Sequence, residues 1–196
     1  MRKVDFARKT SETDIKGSLN LDGKGLYDIE TGCGFFNHMM ELFAKHGGFD
    51  VTLRCDGDLR VDGHHTVEDC GITLGKAFKD ALGDKKGINR YGSFIMPMDE
   101  ALILVAVDFS GRSYVGFDVK FPDEYKLGDM DTELIHEFML AFARSAELTL
   151  HVRKICGENN HQVAEGVFKG LARALRQAVA VDEKNGDVLP STKGVL

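Results

Sequence analysis

No Cys-x-x-Cys spacing occurs among the four cysteines, Cys33, Cys55, Cys70 and Cys156. In a chain of 196 residues that pattern reads as free thiols in a reducing compartment, not as a disulfide framework. No stretch approaches the ~18 consecutive apolar residues of a membrane span. The first ten residues, Met1 to Thr10, lack the apolar run of a secretory signal. A cytoplasmic protein is therefore expected. A basic excess is missing too: 25 Lys and Arg stand against 31 Asp and Glu, for a net charge of −6, so nucleic acid is a poor candidate partner. Neither Gly-x-x-x-x-Gly-Lys-[Ser/Thr] nor Gly-x-Gly-x-x-Gly is present, which argues against a nucleotide cofactor. Tryptophan is absent. What remains is ordinary globular material, 43% hydrophobic and 29% charged, of a length suited to one compact domain. Such a chain buries roughly 70% of its unfolded surface and needs no disulfide or metal staple.

Hydropathy patterning divides the chain into alternating strands and helices. Asp14 to Leu21 alternates as a half-buried strand, Asp22-Gly23-Lys24-Gly25 signals a turn, and Tyr27 to Thr31 reads as the second strand of the same hairpin. Phe35 to Lys45 has helical periodicity and stops at Gly47-Gly48. Phe49 to Cys55 alternates again, and Thr66 to Leu82 is an amphipathic helix ended by Gly83. The second half repeats this order. Ala101 to Phe109 is an apolar strand with Tyr114 to Phe121 as its expected partner, and Phe121 to Asp131 is a loop. Leu134 to Ala146 is a helix, Leu148 to Ile155 a strand, Gln162 to Val181 a long helix, and the tail from Asp182 is irregular. His64-His65-Thr66-Val67-Glu68 opens a helix in the first half, and His161-Gln162-Val163-Ala164-Glu165 opens its counterpart about 97 positions later, too long a period for a solenoid. The reading is a duplicated α+β unit, residues 1–92 and 93–196, with the helices of the two halves packed together.

The chemistry-bearing residues concentrate at those helix starts. A histidine and a glutamate four positions apart share one helical face, so His64 can meet Glu68 and His161 can meet Glu165. Adjacent histidines point apart, so His64 and His65 suit different metal ions. Imidazoles with carboxylates fit zinc, manganese or iron. His38 lies early in the first helix, and His136 and Glu137 lie at the matching place in the second half. His46 ends a helix, where a cation suits the macrodipole, and His151 within a strand reads as structural. Arg90, Ser110-Gly111-Arg112, Lys169 and Pro190-Ser191-Thr192-Lys193-Gly194 offer guanidinium, ammonium and hydroxyl groups that match phosphate oxygens.

These motifs, in this order, resemble the imidazoleglycerol-phosphate dehydratase family of histidine biosynthesis nearly end to end. Arg8 to Thr13 is similar to its R-x-T-x-E-T segment, Thr31 to Met40 to TG-x-x-F-x-DHM, and Asp62 to Leu74 covers DxHHTxED. Gly87 to Gly92, Pro97 to Leu102 and Asp108 to Arg112 follow the family order. Gly157 to Leu175 is similar to G-x-N-x-HH-x-x-E with its trailing helix, and Pro190 to Gly194 to the terminal PS-[ST]-KG. The resemblance implies a fold of the ribosomal protein S5 domain 2-like type, each half a mixed sheet with two helices on one face. It implies dehydration of D-erythro-imidazole glycerol phosphate to imidazole acetol phosphate, with two manganese ions as Lewis acids on the imidazole ring and Glu12 moving the proton at the carbon.

Transferred to matching positions, one manganese takes His38, His65, Glu68 and His161. The second takes His64 and Glu165, with two family histidines falling at Glu137 and Gln162. An amide oxygen is a weaker ligand than imidazole, and Asn37 stands where the family has aspartate. Arg90, Arg112, Lys169, Ser191 and Lys193 would hold the phosphate, with His46 against the substrate. Trimers and a 24-subunit shell are the implied assembly. A phosphate-binding homologue with weak turnover, or a metal-binding shell protein, is the alternative that Gln162 raises.

Overall fold

The computed structural model describes residues 2–121, 126–184 and 186–196. The first half contributes β1 (Lys3–Lys9), β2 (Thr13–Asn20), β3 (Tyr27–Glu30), α1 (Gly34–Gly47), β4 (Asp50–Gly57) and α2 (His64–Leu82). The second contributes β5 (Tyr91–Met98), β6 (Ala101–Asp108), β7 (Tyr114–Asp118), the short β8 (Lys126–Leu127) and β9 (Met130–Asp131), α3 (Glu133–Ser145), β10 (Thr149–Cys156) and α4 (Asn160–Val179). The two larger sheets have equivalent orders, β1-β2-β4-β3 and β5-β6-β10-β7. In each, the third strand of the half runs parallel to the strand that follows the first helix. The same topology built twice is what the repeated sequence pattern anticipated.

Two expected pairings are corrected. Tyr27–Glu30 does not form a hairpin with β2. It lies parallel to β4, because β1 occupies the free edge of β2 and α1 acts as a crossover. The turn at Lys24 is drawn toward β4 by Asp50, whose Oδ1 accepts the amides of Lys24 at 2.8 Å and Leu26 at 3.0 Å. Likewise Tyr114–Asp118 pairs in parallel with β10, and the partner of β6 is β5. The expected loop from Phe121 to Asp131 contains the β8–β9 hairpin, and its residues 122–125 lie outside the described residues. Strand β1 carries no apolar run, and that of β5, Phe94 to Met98, is broken by Pro97. Their alternation covers only one face, half-buried at Val4 and Phe6, as suits edge strands.

The helices form a layer between the sheets and run in one direction. Gly63, before α2, faces Leu134 at the start of α3, and Gly75 faces Phe142 and Ser145 near its end. Phe35 of α1 meets His161 of α4, while Gly48 beyond α1 faces Arg176. Between them lies a fully buried aromatic cluster: Phe36 on Phe138 at 5.6 Å, Phe78 on Phe142 at 5.3 Å, Phe138 on Phe168 at 5.3 Å. These contacts set all four helix N-termini, with their histidines, at one end of the molecule.

Close approach of α2 and α3 depends on glycine. A Cβ on Gly75 would lie 2.4 Å from the Phe142 carbonyl oxygen and 2.9 Å from the Ser145 Cβ. Gly→Ala inside an exposed helix gains about 1 kcal/mol. At position 75 overpacking reverses the sign, so Gly75→Ala is expected to destabilise the protein by about 1–3 kcal/mol. A thermal melt checks this: at about 2–4 °C per kcal/mol for a chain of this size, Tm falls by several degrees. A Tm at or above that of the unmodified protein would show that the two helices separate at little cost.

The two outer faces differ. That of the first sheet is charged, with Lys9, Asp14, Lys16, Arg54 and Asp56 exposed along its strands. That of the second exposes Tyr91, Ile95, Tyr114 and Ile155, each at least half accessible.

Candidate active site

The start of α4 is held from outside the helix. Asn159 caps it, its Oδ1 accepting the Gln162 amide at 3.2 Å. Glu100, in the β5–β6 turn, accepts the amides of Glu158 at 3.0 Å and Asn159 at 2.9 Å. His161 and Glu165 then project from one face, one turn apart, with His161 Nε2 3.1 Å from Glu165 Oε1. On the neighbouring α1, His38 Nε2 lies 2.9 Å from the same oxygen. Lys169 Nζ donates to the other oxygen, Oε2, at 2.5 Å. Glu165 is only 7% accessible. Burial pushes its pKa up, but hydrogen bonds from Lys169, His38 and His161 outweigh that and hold it at about 2, so it is ionised at neutral pH.

One ligand atom from each of His38, His161 and Glu165 falls within 4.8 Å of the others. Two imidazole nitrogens and a carboxylate oxygen suit a borderline divalent cation. Phe35 closes one side, edge-on to His161 with ring centroids 5.4 Å apart.

A second cluster surrounds Glu12, in the turn between β1 and β2. The Thr10 hydroxyl accepts the amides of Glu12 at 3.1 Å and Thr13 at 3.0 Å, locking that turn. The Thr13 hydroxyl donates to Asp69 of α2 at 2.5 Å, and Arg8 pairs with Asp69 at 2.9 Å. Asp69 is buried, so the turn carrying Glu12 is tied to the helix carrying His64, His65 and Glu68. Glu12 Oε1 lies 3.7 Å from His65 Nε2, and the other ring nitrogen of His65 lies 3.0 Å from Asp58 Oδ2. The hydrogen bond to Asp58, with the charges of Asp58, Glu12 and Asp62, raises the His65 pKa against the effect of burial.

Within one chain His161 meets Glu165, as their four-residue spacing predicts, and His38 lies beside His161 with ring centroids 6.0 Å apart. The His64 and His65 rings stand edge to face, with centroids 6.1 Å apart and planes at 88°. His136 stacks on Phe117 at 4.7 Å, and Glu137 is half-buried on α3; among the described residues neither joins the His38–His161–Glu165 group. Asn37 does not orient His38. Its Oδ1 accepts from the Thr31 amide at 2.9 Å and hydroxyl at 2.6 Å, pinning the loop before α1. Gln162 donates its amide to Asp99 at 2.7 Å and leaves its buried Oε1 without a hydrogen-bond partner. Asp58, Asp69 and Asp129, given no role from the sequence, prove to be connectors between elements. Their partners lie on other elements, so no local spacing marks them.

The basic residues divide into two sets. Arg90 pairs with Asp108 through Nε at 2.7 Å and NH2 at 3.1 Å, and its NH1 donates to the Pro190 carbonyl at 2.9 Å. Gly111 packs against Leu196, and the Lys193 amide donates to the Ser191 hydroxyl at 3.2 Å. Arg90, Arg112, Ser191 and Lys193 thus share one corner with the tail. The Arg90 amide bonds the Ala178 carbonyl, which places this corner about 20 Å along α4 from Glu165 at 1.5 Å per residue. Lys169 stays with Glu165. His46, in the last turn of α1, has its pKa lowered by burial and then by the charges of Lys169 and Arg173.

The family model described as imidazoleglycerol-phosphate dehydratase matches residues 31–175. The chain belongs to the imidazoleglycerol-phosphate dehydratase family. It is 56% identical to the imidazoleglycerol-phosphate dehydratase of Cereibacter sphaeroides over 196 residues, covering 100% of both chains. It is 59% identical to that of Clostridium botulinum over 189 residues, 96% of this chain and 95% of the relative. Among solved structures, the Staphylococcus aureus imidazoleglycerol-phosphate dehydratase superposes with a TM-score of 0.82 at 37% identity, covering 91% of this chain and 100% of that one. The Pyrococcus furiosus enzyme in complex with (S)-C348 gives 0.83 at 39% identity, covering 97% and 99%. The α+β architecture of two halves is therefore that of imidazoleglycerol-phosphate dehydratases. Among the described residues no helix is long and apolar enough to cross a membrane.

Proposed function

We propose that this chain is a hydro-lyase that converts D-erythro-imidazole glycerol phosphate to imidazole acetol phosphate in histidine biosynthesis, in the cytoplasm. The observation that carries this reading is the buried Glu165 carboxylate with two imidazole nitrogens on one oxygen, in a chain of this family. His38, His161 and Glu165 would hold a divalent cation, manganese. A bound cation of this kind supplies Lewis-acid polarisation of the substrate's ring nitrogens. His64, His65, Glu68, Glu137 and the neutral oxygen of Gln162 are the remaining candidates for a second ion.

The reaction removes a hydrogen from carbon and a hydroxyl from its neighbour, and the enol that results becomes the ketone. Glu12 takes the carbon-bound proton. It is suited to the task because its backbone is fixed by the Thr10 turn and by the Asp58 amide, which donates to the Glu12 carbonyl at 3.1 Å, while its carboxylate remains half-exposed toward substrate. Arg90, Arg112, Ser191 and Lys193 bind the phosphate, with Lys169 on the cation side and His46 against the substrate.

The span of about 20 Å along α4 is too long for one small substrate to bridge within a single chain. A neighbouring copy therefore completes the site, and the apolar outer face of the second sheet is the surface that association covers. Trimers arranged in a 24-subunit shell are the assembly that fits this reading. The test is incubation of the purified protein with Mn2+ and imidazole glycerol phosphate. The expected product is imidazole acetol phosphate, formed only with the cation present. Absence of product where a related dehydratase turns over would overturn the reading.

A further inference from the structure

The amides of a helix's first turn need acceptors, and α1 does not supply them locally. Its N-cap residue, Cys33, makes no capping bond with its side chain. The acceptor comes instead from the other half of the molecule. Asp129, in the β8–β9 turn, accepts the Gly34 amide with Oδ2 at 2.6 Å and the Phe35 amide with Oδ1 at 2.9 Å. The Cys33 thiol donates to Oδ1 at 3.4 Å. A carboxylate at a helix N-terminus is also favoured by the macrodipole. The preceding Gly128 adopts a φ of 62°, and a Cβ there would stand 3.7 Å from that of Phe35, so the turn lies directly on the first turn of α1.

That first turn carries one wall of the candidate cation centre. Phe35 is edge-on to both His161 and His38, at 5.4 Å and 6.4 Å. His38, one turn further, sets its Nε2 2.9 Å from Glu165. The rotation and axial position of α1 against α4 decide whether His38 reaches the same point as His161. Asp129 grips the end of α1 nearest that point, and does so with both carboxylate oxygens.

We propose that Asp129 is a positioning residue for the His38–His161–Glu165 centre, holding the first turn of α1 from the second half of the chain. The inference rests on the reading of that centre as a cation site. An ordinary helix cap would contribute stability alone. A positioning residue also sets the affinity of the centre, as groups that orient metal ligands do.

The experiment is a Mn2+ titration by calorimetry on the full-length protein, compared with Asp129→Ala and Asp129→Asn, together with melting of the metal-free proteins. Ser113→Ala serves as the control. It removes a donor to the Arg144 carbonyl at the far end of α3 and is expected to leave Mn2+ affinity unchanged. Asp129→Ala is expected to weaken Mn2+ binding about tenfold. Asp129→Asn, which keeps one acceptor, should weaken it less. A lowered Tm with unchanged Mn2+ affinity in both variants would reduce Asp129 to a cap and overturn the proposal. If Asp129→Ala does not fold, Asp129→Asn decides on the same criterion. An unmodified protein that takes up no Mn2+ would instead remove the cation reading and this inference with it.

Discussion

Glu165→Gln is expected to weaken Mn2+ binding by at least about 100-fold, beyond the range reached by changing groups that only orient a ligand, which corresponds to about 3 kcal/mol. Glutamine keeps the shape of glutamate but not its charge. The centre is built around that charge: His38 and His161 converge on one oxygen and Lys169 on the other. An amide either turns its NH2 to Lys169, where a donor faces a donor, or turns it to the two imidazoles, and in both orientations the negative charge is gone. Lys169, itself largely shielded, loses the anion that compensates it, and an unpaired buried charge is costly. The variant should therefore also melt at a lower temperature at neutral pH. The pH dependence has a definite sign. The folded pKa lies at about 2 against an ordinary value of 4.5, so the carboxylate's contribution is complete above 4.5 and is lost as pH falls toward 2. The Tm difference between the metal-free proteins should accordingly shrink on acidification. Calorimetric titration with Mn2+ and melts from neutral to acidic pH check both parts. Wild-type Mn2+ affinity in the variant would sink the assignment of the centre.

How far this centre was legible in the chain depends on which contacts are local. His161 and Glu165 share a helix, and their four-residue spacing is enough to bring them together. The same spacing rule, applied to the duplicated segment, located α2 and α4 and the equivalence of the two halves. The union of Glu165 with His38 is not local. It follows from the packing of α1 on α4, where the rings of Phe35 and His38 meet that of His161, a contact that appears only when the two helices face each other. Family resemblance pointed to His38, Glu165 and Glu12 one position at a time, and position-by-position transfer carries no information on which side chains meet within one chain. Asp58 and Asp129 escaped notice for a related reason: each acts on a partner supplied by another element. The strand errors have a separate cause. Tyr27–Glu30 and Tyr114–Asp118 follow earlier strands closely enough to look like hairpin partners, whereas a crossover helix makes each of them parallel to a later strand. The edge strand β1 was overlooked because half-buried alternation with charged outer residues is a weak signal, and β5 because Gly92 and Pro97 interrupt a strand exposed on its outer face.

Glu12→Gln is expected to lower kcat by about 10²–10⁴, the usual contribution of a positioned general acid or base, while the Mn2+ affinity of the His38–His161–Glu165 centre stays as in the unmodified protein. The separation follows from geometry. Glu12 is not among the residues that surround Glu165, and its side chain faces His65 at 3.7 Å, so its loss leaves the His38–His161–Glu165 group intact. KM should change little, since the phosphate-binding corner lies with Arg90 and the tail. Folding should change little as well, because what fixes the turn is its backbone and its neighbours: Thr10 holds the amides, Asp69 holds Thr13, and the Asp58 amide holds the Glu12 carbonyl. None of these bonds involves the Glu12 carboxylate. Steady-state kinetics with Mn2+ at saturation, paired with a Mn2+ titration, separates the outcomes. A fall in kcat with KM, Mn2+ binding and Tm preserved supports proton transfer by Glu12. A kcat within a few-fold of the unmodified enzyme would exclude Glu12 as the group that moves the proton. A parallel loss of Mn2+ would make it a contributor to the cation centre instead. Because the three readouts respond to three different groups of residues, the kinetic and binding data together assign Glu12 to one of them.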